Sequence, residues 1–103
     1  MSGHVRVRMS KQARADVLAA VTWWKRNLAG MPVHVVEELR NARVLLAATP
    51  HAGVTITDDV RGSLRRLSLL RARYFLFYAV DEAEGVVTVL RVWHMSRGQP
   101  PKL

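Results

Sequence analysis

The stretch RYFLFYAV (residues 73–80), DEAEG (81–85) and VVTVLRVWH (86–94) decides the fold of this chain. Two runs rich in β-branched and aromatic residues flank a short acidic loop that ends in glycine, which predicts a β-hairpin. Gly85 can adopt the left-handed backbone conformation that a five-residue turn needs. Both alternating sets of the first run are apolar. We therefore expect it to be a central strand, covered on both faces.

The second run of the hairpin has two unequal faces. Strict alternation places Val86, Thr88, Leu90 and Val92 on one face, and Val87, Val89, Arg91 and Trp93 on the other. An arginine beside a tryptophan on a strand face indicates a surface for a partner rather than sealed core. We therefore expect the face with Arg91 and Trp93, extended by Arg66 of the preceding strand, to be the functional one.

The residues before the hairpin predict an α+β domain. Alternation over residues 5–9 predicts a short strand, and Ser10 is a suitable N-cap for a helix over about residues 11–28. Lys25, Arg26 and Gly30 are typical of its end. A second helix is expected from Pro32 to about residue 48, antiparallel to the first because the connection is short. Its buried stripe is Val35 or Val36 followed by Leu39, Ala42 and Leu46.

The remaining segments complete one domain over residues 1–103. Residues 49–63 are expected to form a loop that is mobile at Asp58-Asp59, and residues 64–70 a further strand. The order is strand, antiparallel helical hairpin, then a three-stranded antiparallel meander, all strands in one sheet. The helices cover one sheet face and leave the other open. We expect residues 94–103 to form a flexible tail.

Composition limits the function classes. The chain has 103 residues, no cysteine and a formal charge of +8, and arginine supplies 13 of its 16 basic residues. Arginine suits phosphate or carboxylate ligands, so nucleic acid or an acidic protein is a candidate partner; a merely soluble basic surface is the alternative. Without cysteine, disulfides, thiol catalysis and cysteine-ligated metals are excluded. No apolar run reaches the ~20 residues of a membrane span, and we expect a cytoplasmic protein.

The sequence offers little catalytic machinery. The four histidines are far apart, so we expect no metal, and no motif indicates a cofactor. Metal-free cleavage of RNA needs cations around a phosphate together with a general base and acid. Arginines are abundant after residue 60, but no convincing acid–base pair accompanies them. His94 could supply one partner, because its ordinary pKa lies near neutrality; a surface or packing role is the alternative.

Four segments in this order resemble the RelE/ParE superfamily of bacterial toxins: ADVLAAVTWW (15–24), LLAATPHAG (45–53), RYFLFYAVD (73–81) and VLRVWH (89–94). The resemblance extends over almost the whole chain. It implies the toxin of a type II toxin–antitoxin system, held inactive by a small antitoxin in a hetero-oligomer. The antitoxin would be ParD-like or another small antitoxin.

The superfamily has two branches, and this chain is more similar to the ParE branch. RelE-like members cut mRNA in the ribosome with basic residues on the sheet, whereas ParE-like members are described as inhibitors of DNA gyrase. Phe75 stands where the nuclease branch carries an arginine, Ser68 replaces a second basic residue, and Met95 falls near a further arginine position. Loss of an arginine at the scissile phosphate costs several kcal/mol of transition-state stabilisation. The ending LRVWH is similar to ParE-type toxins.

Three functions therefore stay open: a gyrase inhibitor, a ribosome-dependent ribonuclease, and an inactive module that only binds its antitoxin. The expected target-binding residues are Arg66, Arg91, Trp93 and Arg97, and the candidate catalytic set of a ribonuclease is Arg66, Arg91, His94 and Arg97. Antitoxin contacts are expected at Trp23, Arg65 and Arg73, because Trp23 points away from the core that Trp24 faces. The alternative for Trp23 is packing under the 49–63 loop.

Overall fold

The computed structural model of the protein describes residues 4–27, 32–59 and 62–103. Two helices and five strands lie in these ranges. In chain order they are β1 (Arg6–Met9), α1 (Lys11–Asn27), α2 (Pro32–Ala48), β2 (Val54–Asp59), β3 (Gly62–Leu69), β4 (Tyr74–Asp81) and β5 (Val86–His94). The expected end of the first helix near residue 28 and Gly30 after it lie outside the described ranges.

The five strands form one mixed sheet in the order β1-β5-β4-β3-β2. Strands β2 to β5 form an antiparallel meander, and β1 pairs in parallel with β5 at the other edge. Strand β4 is the third of the five, which confirms the prediction of a central strand. The expectation that it is covered on both faces is wrong, because both helices lie on one side of the sheet. Gly85 has a φ of 62°, the left-handed conformation expected of it, in a loop that spans residues 82–85.

The prediction of a loop over residues 49–63 is wrong for its second half. Val54 to Asp59 form a strand that pairs antiparallel with β3, so the meander has four strands rather than three. The β-branched run from Val54 to Thr57 favours a strand. Pro50 before this run and Gly62 after it are turn-forming residues, so the sequence predicted a loop over the whole stretch. Asp58 and Asp59 continue the strand instead of forming a mobile turn.

Helix α1 begins as its sequence predicts. The Ser10 hydroxyl accepts a hydrogen bond from the backbone N–H of Ala13 (3.0 Å), as an N-cap does. The same hydroxyl donates to the carbonyl of Leu90 (3.0 Å), so the cap also fastens α1 to β5. Ala13 and Ala20 are buried on the sheet side, with Val17 and Trp24 packed against the same core.

The core lies between the helical hairpin and one face of the sheet. On α2, Val35 is 1% exposed and Val36 is 40% exposed, so Val35 begins the buried stripe. The stripe packs against the even-numbered side chains of β4 from Tyr74 to Val80. We call this the helical face of the sheet, and the side with Phe75, Phe77 and Ala79 the open face. The prediction that the helices cover only one face is confirmed.

A β-bulge in β5 changes the predicted faces of that strand. Phe77 pairs with Arg91 and Tyr78 pairs with Val89, so Leu90 has no partner on β4. Because of this extra residue, Val92 joins Val87 and Val89 in the core. The expectation that Val92 shares a face with Val86 and Leu90 is therefore wrong. Strict alternation holds only for an unbroken strand, and nothing in the residue types of β5 indicated the bulge.

Candidate functional site

The open face carries a row of aromatic and basic side chains across β3, β4 and β5. Directly paired residues of neighbouring strands point to the same side of a sheet. Arg66 pairs with Phe77, which pairs in turn with Arg91. In the next row Phe75 pairs with Trp93. The structure thus places Arg66, Arg91 and Trp93 around one pair of phenylalanines on the open face. The expectation that Val87 and Val89 share this face with Arg91 and Trp93 is wrong, because both valines lie in the core.

Two arginines of this surface are stacked on aromatic rings. The Arg66 guanidinium carbon lies 4.4 Å from the centroid of Phe75, and that of Arg97 lies 4.1 Å from the centroid of Trp93. Stacking of this kind fixes a guanidinium and leaves its N–H edge for an anion. Within the described part of the chain, neither arginine has an ion-pair partner. Each is therefore a positive charge held against an aromatic ring.

Arg91 is engaged inside the protein. Its Nε and Nη2 donate to the two carboxylate oxygens of Asp16 at 2.7 and 3.0 Å. The Asp16 Oδ2 also accepts the backbone N–H of Val92 (2.9 Å). The side chains of Arg91 and Asp16 are 17% and 16% exposed, and the carboxylate raises the pKa of the guanidinium. This two-bonded ion pair, which we call the fork between Asp16 and Arg91, joins α1 to the edge of β5. Because Asp16 neutralises its charge, Arg91 offers little free charge to a ligand.

His94 lies on the other side of the sheet from Arg66. It pairs with Tyr74, whose side chain is buried on the helical face, and the two rings meet edge to face at 4.9 Å. Its Nδ1 accepts the backbone N–H of Ser96 (3.1 Å), so the neutral ring carries its proton on Nε2. Burial lowers the pKa of His94, and the charges of Arg73 and Arg97 lower it further. The lowered pKa favours the neutral ring, in which Nε2 is the donor nitrogen.

A pocket of about 450 Å³ separates α1 from the end of β5. We call it the α1–β5 pocket; its lining includes Asp16, Trp23, Tyr74, Val92, His94 and Arg97. Its walls combine aromatic and aliphatic side chains with the charged groups of Asp16 and Arg97. The structure therefore brings together His94, Arg97 and Trp23 from the predicted sets, and keeps Arg66 outside.

The remaining predicted antitoxin contacts lie apart from this pocket. Arg65 Nη1 donates to the carbonyl oxygens of His51 (3.0 Å) and Gly53 (2.8 Å), so it fastens the loop before β2. Arg73 is exposed in the turn before β4 and has a φ of 64°.

Trp23 is 52% exposed, with its ring edge-to-face on Trp24 at 4.9 Å. It thus points away from the core, as predicted.

The tail contacts the sheet at Trp93. The indole Nε1 donates to the carbonyl of Gln99 (2.9 Å), and Pro101 is buried. Flexibility of residues 94–103 stays a prediction.

Across the described ranges, no three His, Asp or Glu side chains form a group that could hold a metal ion. Neither described helix is long and apolar enough to cross a membrane.

Asp16 is the site residue that the sequence analysis did not single out. A signal was present, because residues 13, 16, 17 and 20 lie on one side of a helix. A carboxylate on the buried side of a helix needs a buried partner. Only its position in the three-dimensional structure identifies Arg91 as that partner, since the two residues are 75 positions apart.

A family model described as the ParE toxin of the type II toxin–antitoxin system parDE matches residues 7–98. No curated protein matches the chain in sequence. Among solved structures, the chain is similar to the chromosomal ParDE toxin–antitoxin system of P. aeruginosa, with 18% identity, a TM-score of 0.71 and coverage of 92% of this chain and 100% of that one.

Two further solved structures have the same fold. The archaeal RelE–RelB complex of Pyrococcus horikoshii has 16% identity and a TM-score of 0.69, with 92% of this chain and 99% of that chain covered. The toxin–antitoxin complex RelBE2 of Mycobacterium tuberculosis has 20% identity and a TM-score of 0.60, with 88% and 98% covered. At these identities the structural similarity establishes the fold alone.

Proposed function

This chain belongs to the ParE toxin family of type II toxin–antitoxin systems, and on that premise we propose that it inhibits DNA gyrase by binding it, without catalysis of its own. Its open face supplies the binding surface, through Arg66, Trp93 and Arg97, with Arg91 supporting the Trp93 ring at 5.0 Å. A small acidic antitoxin neutralises it. The toxin–antitoxin complexes among the structural relatives support such a partner.

The observation that carries this proposal is the separation of the candidate catalytic groups. A phosphate cleaved without metal needs a base, an acid and cations around one point. Here Arg66 is on the open face, His94 is paired with buried Tyr74 on the helical face, and Arg91 is bound to Asp16. This arrangement favours a binding surface over a nuclease site.

A side-by-side assay tests the proposal. Purified toxin is added to DNA gyrase with relaxed plasmid, and in parallel to a translating ribosome extract with a labelled mRNA. We expect loss of supercoiling or trapped cleaved DNA in the first reaction and intact mRNA in the second. Arg66→Gln should weaken gyrase inhibition about 10- to 100-fold, since removing one charge-assisted contact at an interface costs roughly 1.5–3 kcal/mol. Arg40→Gln, an exposed change on α2, is the control.

The runner-up is a ribosome-dependent ribonuclease. The unpaired and stacked guanidinium groups of Arg66 and Arg97 favour it, because they suit a phosphate. In that case the mRNA is cut within codons and His94→Ala abolishes the cutting. Inactivity in both reactions, together with binding of the antitoxin, would identify an inactive module.

Within the proposed complex, Trp23, Arg65 and Arg73 are the antitoxin contacts expected from the sequence. Arg65 donates hydrogen bonds to its own chain, which leaves Trp23 and Arg73 as the more accessible pair. An antitoxin that contacts both covers the end of β5 that lies between them. The toxin would then be silenced by a chain that lies close to Arg97.

A further inference from the structure

The side chain of Trp93 is engaged by several groups of its own chain. Its indole Nε1 donates to the carbonyl of Gln99 (2.9 Å). The guanidinium carbons of Arg97 and Arg91 lie 4.1 and 5.0 Å from the centroid of its ring. Phe75 is its direct neighbour on β4. An indole whose N–H and ring are both in use offers little to a protein partner, so this arrangement suits a supporting role better than direct contact.

The segment that follows Trp93 turns back onto its ring. The backbone N–H of Arg97 donates to the carbonyl of His94 (3.1 Å), which closes a turn over residues 94–97. Two residues further on, the Gln99 carbonyl accepts the Trp93 indole N–H. Trp93 therefore contacts this segment at two points, which are the side chain of Arg97 and the backbone of Gln99.

The Arg97 side chain is exposed, and it forms no ion pair within the described part of the chain. A free arginine side chain loses rotamer entropy when it binds an anion. Stacking on the Trp93 ring removes part of this freedom in advance, because it restricts the guanidinium to the surface of the ring. The N–H edge of the guanidinium stays available for a carboxylate or phosphate group. Arg97 is therefore pre-organised for an anion.

We propose that Trp93 is a positioning residue, which holds the Arg97 guanidinium in the orientation that binds a carboxylate of gyrase. The inference rests on the proposed function and deepens it, because Arg97 makes the contact and Trp93 acts through Arg97. Of the two guanidinium groups near the Trp93 ring, that of Arg91 is neutralised by Asp16, so that of Arg97 is the free one. One free cation suits a single carboxylate better than the continuous charge of a nucleic acid backbone.

A double-mutant cycle tests whether Trp93 acts through Arg97. Calorimetric titration measures the binding of each full-length toxin to purified gyrase without DNA. We expect Trp93→Leu and Arg97→Gln each to raise Kd about 10-fold or more. Adding Trp93→Leu to Arg97→Gln should raise Kd less than about twofold further, because the ring then has no guanidinium to position. Arg40→Gln removes the same charge from an exposed site on α2, and in that background Trp93→Leu should keep its full effect.

Two conservative variants separate positioning from folding. Trp93→Phe keeps an aromatic ring for Arg97 but lacks the N–H that binds Gln99, and it should raise Kd less than about threefold. Arg97→Lys keeps the charge but loses the planar group that stacks and binds a carboxylate through two N–H groups, so it should raise Kd about fivefold or more. Urea unfolding shows whether each variant is folded. If Trp93→Leu is not, Arg97→Lys decides, because its site is exposed and makes no demand on the core.

The results distinguish failure of the inference from failure of the proposed function. If wild-type toxin does not bind gyrase at all, both fail. If wild type binds and Trp93→Leu weakens binding equally with and without Arg97→Gln, Trp93 contacts gyrase itself, and only the inference is overturned. Equal binding by Arg97→Lys and wild type would mean that charge alone matters and would also overturn it. Binding to gyrase only when DNA is present would identify the anion as a phosphate and contradict the assignment of a gyrase carboxylate.

Discussion

At the scale of single residues, His94 shows how the fold sets the state of one side chain. The unfolded chain keeps the ordinary pKa of 6.5, whereas burial and the nearby charges of Arg73 and Arg97 lower the pKa in the folded protein. Below pH 6.5 the unfolded state therefore binds a proton more readily than the folded state. The free energy of unfolding decreases as the pH falls through this region.

We expect His94→Asn to reduce this acid sensitivity. Asparagine can accept the Ser96 N–H through Oδ1 but does not titrate, and Asp16, Arg73 and Arg97 around the site are unchanged. Urea unfolding of both proteins at pH 5, 6, 7 and 8 measures the effect. The other three histidines are common to both proteins and cancel. Equal slopes of unfolding free energy against pH would contradict the lowered pKa.

At the scale of elements, the fork between Asp16 and Arg91 joins α1 to the edge of β5. Strand β1 ends at Met9, so within the described part of the chain β5 beyond Val89 has no neighbouring strand on that side. Asp16 accepts the Val92 N–H there and supplies the hydrogen bond that a further strand would make. A helix side chain thus completes a sheet edge, a relationship that periodicity along either element does not reveal.

We expect Asp16→Asn to destabilise the protein by about 2–4 kcal/mol, because it leaves the mostly buried Arg91 guanidinium without a counter-charge. Thermal and urea unfolding measure it. Glu37→Gln is the matched control: Glu37 forms an exposed pair with Arg71 at 3.6 Å, for which about 0–1 kcal/mol is usual. A similar loss in the two variants would show that the fork has no special role.

At the scale of the whole molecule, the sequence predicted which elements pack in each layer better than it predicted how the strands pair. The apolar pattern of β4 predicted its central place, and the stripe of α2 predicted its side of the core. The sequence did not predict the bulge at Leu90 or the short strand β2, because each depends on pairing partners rather than on its own residues. The sequence also predicted a surface with Arg66, Arg91 and Trp93, but not that His94 would lie on the opposite face of the sheet.

The whole surface also predicts the behaviour of the isolated toxin. Large apolar side chains are exposed on α1, on α2 and at β2, among them Leu18, Val44 and Val54. We expect poor yield and aggregation when the toxin is expressed alone, and recovery on co-expression with its antitoxin. Light scattering of the two preparations at equal concentration measures this. A well-behaved toxin at high concentration would count against a large apolar docking surface.

The pairing of β1 with β5 has a consequence for synthesis. Arg6 lies opposite Val86, so β1 cannot pair with β5 until the residues of β5 have left the ribosome. At about 5–20 residues per second, the 46 residues between the end of α2 and the end of β5 take on the order of 2–9 s to synthesise, and during this time the helices have no finished sheet to pack on. Closing so long a loop costs conformational entropy and makes the step slow. An antitoxin already present in the cell can therefore bind the toxin during a brief interval before its sheet is complete.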